Sequence, residues 1–333
     1  MPKEKLIPKA VEIARENVLK SKNPFGVPAE ERYAWAKDLD LPKQHETIFF
    51  ASCMNPLMGY GEALLSTAKK SEKVGIHFNT MMSLGKLAQK LKVDKLMTGI
   101  KKTNREYQET ILHAIDVLKK LNVEFGFLYD DEPCCGGPLH TYGLLDAFQE
   151  HVKKVYSFLK ERGVKRIITI NPICGGIFKK FYPDVLEIFD IEVKHFSEIV
   201  AEKIKEEGLS FKASKPRKVV FHDPCYLARF MRVVDEPRVI LNSIEGWEIV
   251  EPVNNKFDTK CDGGGGVEVV YPKIARKIAK DRMIELLDTG ADLIVTACAP
   301  CIMMLKLGES ELHRNVEIRD IVDVVYKALN NKL

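Results

Sequence analysis

Two stretches of this chain set cysteines on one and the same frame, and that repetition limits the fold more than any other feature. In the first, DEPCCGG carries Cys134 and Cys135, and 35 residues separate Cys135 from Asn171, which opens NPIC and leads to Cys174. In the second, KCDGGGG carries Cys261 and Asp262, and again 35 residues separate Asp262 from Cys298, which opens CAPC and leads to Cys301. A doublet, a constant interval and two slots three apart therefore occur twice. One further cysteine, Cys53 or Cys225, precedes each doublet, which accounts for all eight cysteines. Asn171 and Asp262 each stand where the other half has a cysteine. Self-similarity of this kind marks a duplicated structural unit.

The flanks give the unit its architecture. TIFFA leads to Cys53, RIITI to Asn171 and Cys174, KVVFHDP to Cys225 and DLIVTA to Cys298, each a short β-rich apolar run. After the doublets, TYGLLDAFQEHVKKVYSFLKERG and VEVVYPKIARKIAKDRMIELLDTG read as helices closed by Gly163 and Gly290. Strand, helix and strand at this spacing predict parallel βαβ units, an α/β fold with two tandem pseudo-repeats. Loops at the carboxyl ends of such strands converge on one crevice, where cysteines distant in sequence can meet.

The boundaries expected on this basis are a helical arm over 1–45, a first repeat over 46–212 and a second over 213–333. The interval from Cys53 to Cys134 is 80 residues, against 35 from Cys225 to Cys261. About 45 residues, expected near 72–105, are thus inserted in the first repeat.

Reduced thiols at glycine and proline turns point to metal chemistry more than to packing. Cys225, Cys261, Cys298 and Cys301 supply four soft ligands, with CxxC able to hold two on one turn. Glycines 263–266 bring backbone N–H groups close, and Asp262 adds a carboxylate, a harder ligand that iron or zinc accepts. Cys53, Cys134, Cys135 and Cys174 suit either a second four-iron cluster or a structural zinc ion. Adjacent cysteines, with Cα atoms about 3.8 Å apart, let one turn direct two thiolates at one centre.

FFASC, DEPCCGGPL, HDPCYLARF, KCDGGGGVEVVYP and VTACAPC together resemble the cysteine-rich CCG domain family, over residues 46 to about 330. The likeness is to iron–sulfur proteins of the heterodisulfide reductase D and B types, and to the iron–sulfur subunits of glycolate oxidase and anaerobic glycerol-3-phosphate dehydrogenase. It implies tandem CCG domains and a [4Fe–4S] cluster at the second domain, with a second [4Fe–4S] cluster or zinc at the first. It also implies electron transfer within a multisubunit oxidoreductase. Each half here offers four cysteines where a complete motif has five, which makes one-electron transfer a better fit than disulfide reduction on a non-cubane cluster. A zinc-bound scaffold is the third reading. The arm resembles the segment that joins a ferredoxin-like domain to CCG units in fused relatives, so the expected partners are a ferredoxin-like iron–sulfur subunit docked on it and a flavin-containing dehydrogenase subunit.

Composition narrows the rest. With 51 basic and 47 acidic side chains interspersed, no basic stripe suggests nucleic acid. No apolar run reaches 18 residues and the N-terminus is amphipathic, which predicts a cytoplasmic protein that reaches a membrane only through a partner. His222 and His140 are expected to hydrogen-bond loops, Arg229 and Arg232 to lie on the surface or beside an anionic cluster, and the methionines of CIMMLKL to pack a helix.

Overall fold

A computed structural model describes residues 7–73 and 94–333. The helices that position the sites are α1 (Lys9–Ser21), α2 (Met58–Lys73), α3 (Asp94–Lys120), α4 (Leu145–Glu161), α5 (Phe196–Glu207), α6 (Pro272–Leu287), α7 (Ala299–Leu312) and α8 (Ile321–Leu329). The strands are β1 (Thr47–Phe50), β2 (Gly126–Phe127), β3 (Arg166–Thr169), β4 (Glu192–His195), β5 (Phe211–His222), β6 (Ile244–Val250), β7 (Leu293–Thr296) and β8 (Glu317–Asp320).

They form two four-stranded parallel sheets ordered β2-β1-β3-β4 and β6-β5-β7-β8, the same order in each half. In the first, Ile48 pairs with Ile167 and Phe49 with Ile168; in the second, Val220 pairs with Ile294 and Phe221 with Val295. Central strands covered by helices on both faces read as continuous apolar runs, and β7 is buried at all four positions.

The amphipathic helices follow from spacing. On α4, Phe148, Val152, Val155 and Leu159 recur every three or four residues and face the core. Gly163 and Gly290 close their helices with φ of +70° and +72°. The two long helices expected after the doublets are each divided. Gly143, at φ +71°, separates α4 from a short helix at Gly137–Thr141. Before α6, Tyr271 leaves the helical region because Pro272 follows it.

One apolar core runs through both halves and takes in Val18, Tyr33 and Ala36 of the N-terminal arm. The halves also meet where the short helix Pro172–Gly176 lies on the turn Tyr226–Met231; a Cβ on Gly176 would sit 2.8 Å from Tyr226 Cδ1. The inserted stretch expected near 72–105 falls mostly on 74–93, outside the described residues. Among the described residues no helix is long and apolar enough to cross a membrane.

Candidate metal centres

All the cysteines lie just past the carboxyl ends of strands. Cys53 and Cys225 each stand three residues after β1 or β5, and the doublets follow β2 and β6. Asn171 and Cys298 each stand two residues after β3 or β7, with Cys174 and Cys301 one helical turn further on. All eight are free thiols; Cys225 and Cys261 are partly exposed and the others buried.

The doublet loops repeat in detail. Gly136 and Gly263, which follow them, have φ of +86° and +87°. Their N–H groups donate to Cys134 Sγ at 3.4 Å and Cys261 Sγ at 3.3 Å. A Cβ on Gly263 would meet the Ala275 carbonyl oxygen at 2.7 Å, so this turn admits only glycine without a shift. The residue two before each doublet ties its loop to the end of the first strand. Ala51 N–H donates to Glu132 Oε2 at 2.8 Å, and Thr259 Oγ1 donates to the Asp223 carbonyl at 2.9 Å.

In the first half Cys53 Sγ and Cys134 Sγ are 3.5 Å apart, and Cys135 hydrogen-bonds both Cys134 and Cys174. Hydrogen bonds from Cys135 and Cys53 hold the Cys134 thiol well below its usual value, while their shared hydrogens raise those of Cys53 and Cys135. Asn171 is not aimed at this site as a ligand. Its Oδ1 caps the short helix, accepting from Ile173 N at 3.0 Å and Cys174 N at 3.4 Å. Its Nδ2 donates to Asn55 Oδ1 at 2.8 Å and Ser52 Oγ at 3.2 Å. Each polar atom is occupied, whereas Cys298 at the start of α7 makes no side-chain bond to the helix backbone.

The arm closes the back of this site. Tyr33 OH donates to Glu132 Oε1 at 2.8 Å, and Arg32 Nη2 to the Glu132 carbonyl at 3.0 Å. Burial pushes the Glu132 carboxyl up to about 7 against these partners.

In the second half Cys225, Cys261, Asp262, Cys298 and Cys301 line one cleft with Gly264 and Gly265, and Pro172 and Ile173 of the first half supply its far wall. Hydrogen bonding from Cys261 lowers the Cys225 thiol, and burial raises that of Cys301. Burial opposes ionisation of Asp262, yet hydrogen bonds from His222, Cys301 and Gly264 N–H outweigh it and hold the carboxyl below its usual value. Among the described residues, His222, Asp262 and Cys301 form the one group of three or more Cys, His, Asp or Glu ligand atoms mutually within 4.8 Å. In the second half the sulfurs also meet in pairs, Cys225 with Cys261 and Cys298 with Cys301.

The lesser expectations fall out unevenly. His222 is buried and bonds Asp262 Oδ2 at 3.1 Å, so it touches the site itself. His140 packs on Phe148 and Phe181, with Nδ1 unpaired. Arg229 bonds the Phe257 and Thr259 carbonyls, steadying the loop before Cys261, and Arg232 lies 3.9 Å over the Phe257 ring. Met303 and Met304 are buried on α7.

The model of the cysteine-rich domain, CCG, matches residues 99–179 and 219–306, half of the chain. This chain belongs to the CCG family. The second match holds the whole second-half cysteine set; the first leaves out Cys53, which the fold of this CCG chain returns to Cys134. The D subunit of the dihydromethanophenazine:CoB–CoM heterodisulfide reductase of Methanosarcina acetivorans is 34% identical over 218 residues, 64% of this chain and 53% of that protein. The B subunit of the fumarate reductase (CoM/CoB) of Methanothermobacter marburgensis is 34% identical over 206 residues, 61% and 40% of the two chains. The probable iron–sulfur-binding oxidoreductase FadF of Bacillus subtilis is 27% identical over 322 residues, 95% of this chain and 40% of that one. The CCG chain thus spans about half the length, or less, of these relatives.

Proposed function

We propose that this CCG chain is an iron–sulfur electron-transfer subunit of a multisubunit oxidoreductase, with a [4Fe–4S] cluster held by Cys225, Cys261, Cys298 and Cys301. The observation that carries the reading is the second-half cleft, where four soft sulfur ligands and the N–H groups of a glycine turn face one space. Cys53, Cys134, Cys135 and Cys174 hold a second such cluster. The turns past β1, β2 and β3 bring these four sulfurs into one chain of contacts, from Cys53 through Cys134 and Cys135 to Cys174. When bound, a cluster of this type supplies one-electron transfer. The chain's own part is to hold it by thiolates, to donate Gly136 and Gly263 N–H bonds to ligand sulfur, and to exclude water with Ile173 and the glycine run.

The relatives' names support partners of the kinds found in such complexes. We assign a ferredoxin-like iron–sulfur subunit docked on the arm 1–45, and a flavin-containing dehydrogenase subunit on the other side of the electron path. The test is iron, zinc and acid-labile sulfide per chain after anaerobic purification, with EPR of reduced and oxidised protein. About eight irons with matching sulfide is the expected result; zinc without sulfide would overturn the reading.

A further inference from the structure

Arg282 sits in the buried stripe of α6, between Ala279 and Leu286, with its side chain fully enclosed. A guanidinium costs several kcal/mol to bury unless its hydrogens are taken up. Here Nη1 donates to the Asn254 carbonyl at 2.9 Å and pairs with Glu285 at 3.0 Å, while Nη2 reaches Thr259 Oγ1 at 3.5 Å. The Nε hydrogen points at His222 Nδ1 at 3.1 Å.

Arginine has donors only, so His222 Nδ1 is the accepting nitrogen and Nε2 carries the ring hydrogen. That hydrogen is donated to Asp262 Oδ2 at 3.1 Å, and Gly264 N–H occupies one position on Oδ1 at 3.0 Å. A carboxylate offers about four lone-pair positions. Those left over face Cys301 and Cys261, the neighbours of Asp262 in the cleft.

The other half supplies the control. Counted from the doublets and from the strand ends, the positions of Asp262, His222 and Arg282 are those of Cys135, Phe50 and Val155. All three are buried, and neither Phe50 nor Val155 can hydrogen-bond through its side chain. The polar relay accompanies the carboxylate and is missing where the doublet keeps its second cysteine.

We propose that Arg282 and His222 are positioning residues that hold the Asp262 carboxylate in the cleft as an oxygen ligand to the second-half cluster, in place of the missing thiolate. This rests on the reading of that cleft as an iron–sulfur site. With a cluster bound, Asp262 would add a carboxylate oxygen to the four thiolates as a fifth protein ligand and give that centre an electronic signature of its own.

The test uses anaerobically purified full-length chain, with iron and sulfide content, EPR spectrum and midpoint potential as readouts. Asp262→Asn and His222→Leu should shift the second-site spectrum and potential in the same direction with iron retained. His222→Gln, whose amide can accept from Arg282 and donate to Asp262, should restore both. In an Asp262→Cys background, His222→Leu should then have no spectroscopic effect, because a thiolate needs no such relay. Equal shifts from His222→Leu in both backgrounds would make the relay merely structural and overturn the proposal. So would a spectrum that Asp262→Asn leaves unchanged, although the cluster would stand. Wild-type protein with zinc and no sulfide would instead remove the underlying reading.

Discussion

The two halves share a backbone and differ in what occupies it. Sheet order, the positive φ after each doublet and the N–H bond to the first sulfur of the doublet recur almost unchanged. Yet each half has given one cysteine slot to another residue, and each replacement is embedded differently. Asn171 turns away from metal chemistry and spends its amide on a helix cap and on Asn55 and Ser52. Asp262 stays in the cleft, held by His222 and behind it Arg282. Duplication of a fold preserves the addresses of these positions, while local hydrogen bonding decides which way a substituted side chain faces.

The largest effect that would sharpen this contrast is on cofactor loading. Cys298→Ala should remove the second-half centre and with it about half of the iron and sulfide, whereas Asn171→Ala, at the matching position, should leave the metal count unchanged. Iron analysis of the two variants side by side checks this; equal losses would mean that Asn171 serves the first site directly.

A second contrast concerns pH. Burial pushes the Glu268 carboxyl up to about 7 against the Gly266 N–H, and the first half has Thr141 at that position. A carboxyl raised in the folded state favours folding at low pH, and the advantage is lost as pH rises from its unfolded value through about 7. Between about pH 4 and pH 8 wild type should lose on the order of 3 kcal/mol more stability than Glu268→Gln. Thr141→Val should match wild type in slope, and denaturant melts across that range read the difference.

Asn171→Ala should cost about 2 kcal/mol through the lost cap and the unpaired groups of Asn55 and Ser52. Cys298→Ala in metal-free protein should cost less, since no cap is lost. The smallest effect separates the glycines. Gly136→Ala should cost about 1–2 kcal/mol for its left-handed backbone, because its Cβ would meet only side chains of His151 and Phe148. Gly263→Ala should cost more, because the Ala275 carbonyl cannot step aside. Equal costs would show the two turns to be equally adaptable.

Much of this was legible in the sequence. The constant interval between doublet and CxxC slots translates into a βαβ unit, and the apolar runs before the cysteines are the central strands. The placement of the cysteines after the strands follows because strand ends in such sheets converge. What escaped is three-dimensional. Asn171 reads as a lost ligand, and only the neighbouring loop shows that its amide is fully engaged. Arg282 left one signal, an arginine in the buried stripe of an amphipathic helix, but its meaning depends on His222, which lies 60 residues earlier. Gly143 and Tyr271 interrupt helices that periodicity alone runs together.

The most direct measurement of the central claim is the native mass of the full-length wild-type chain under anaerobic conditions. The account predicts a mass increment of iron together with inorganic sulfide for two four-iron centres. An increment that corresponds to zinc alone, or iron with no sulfide, would contradict it.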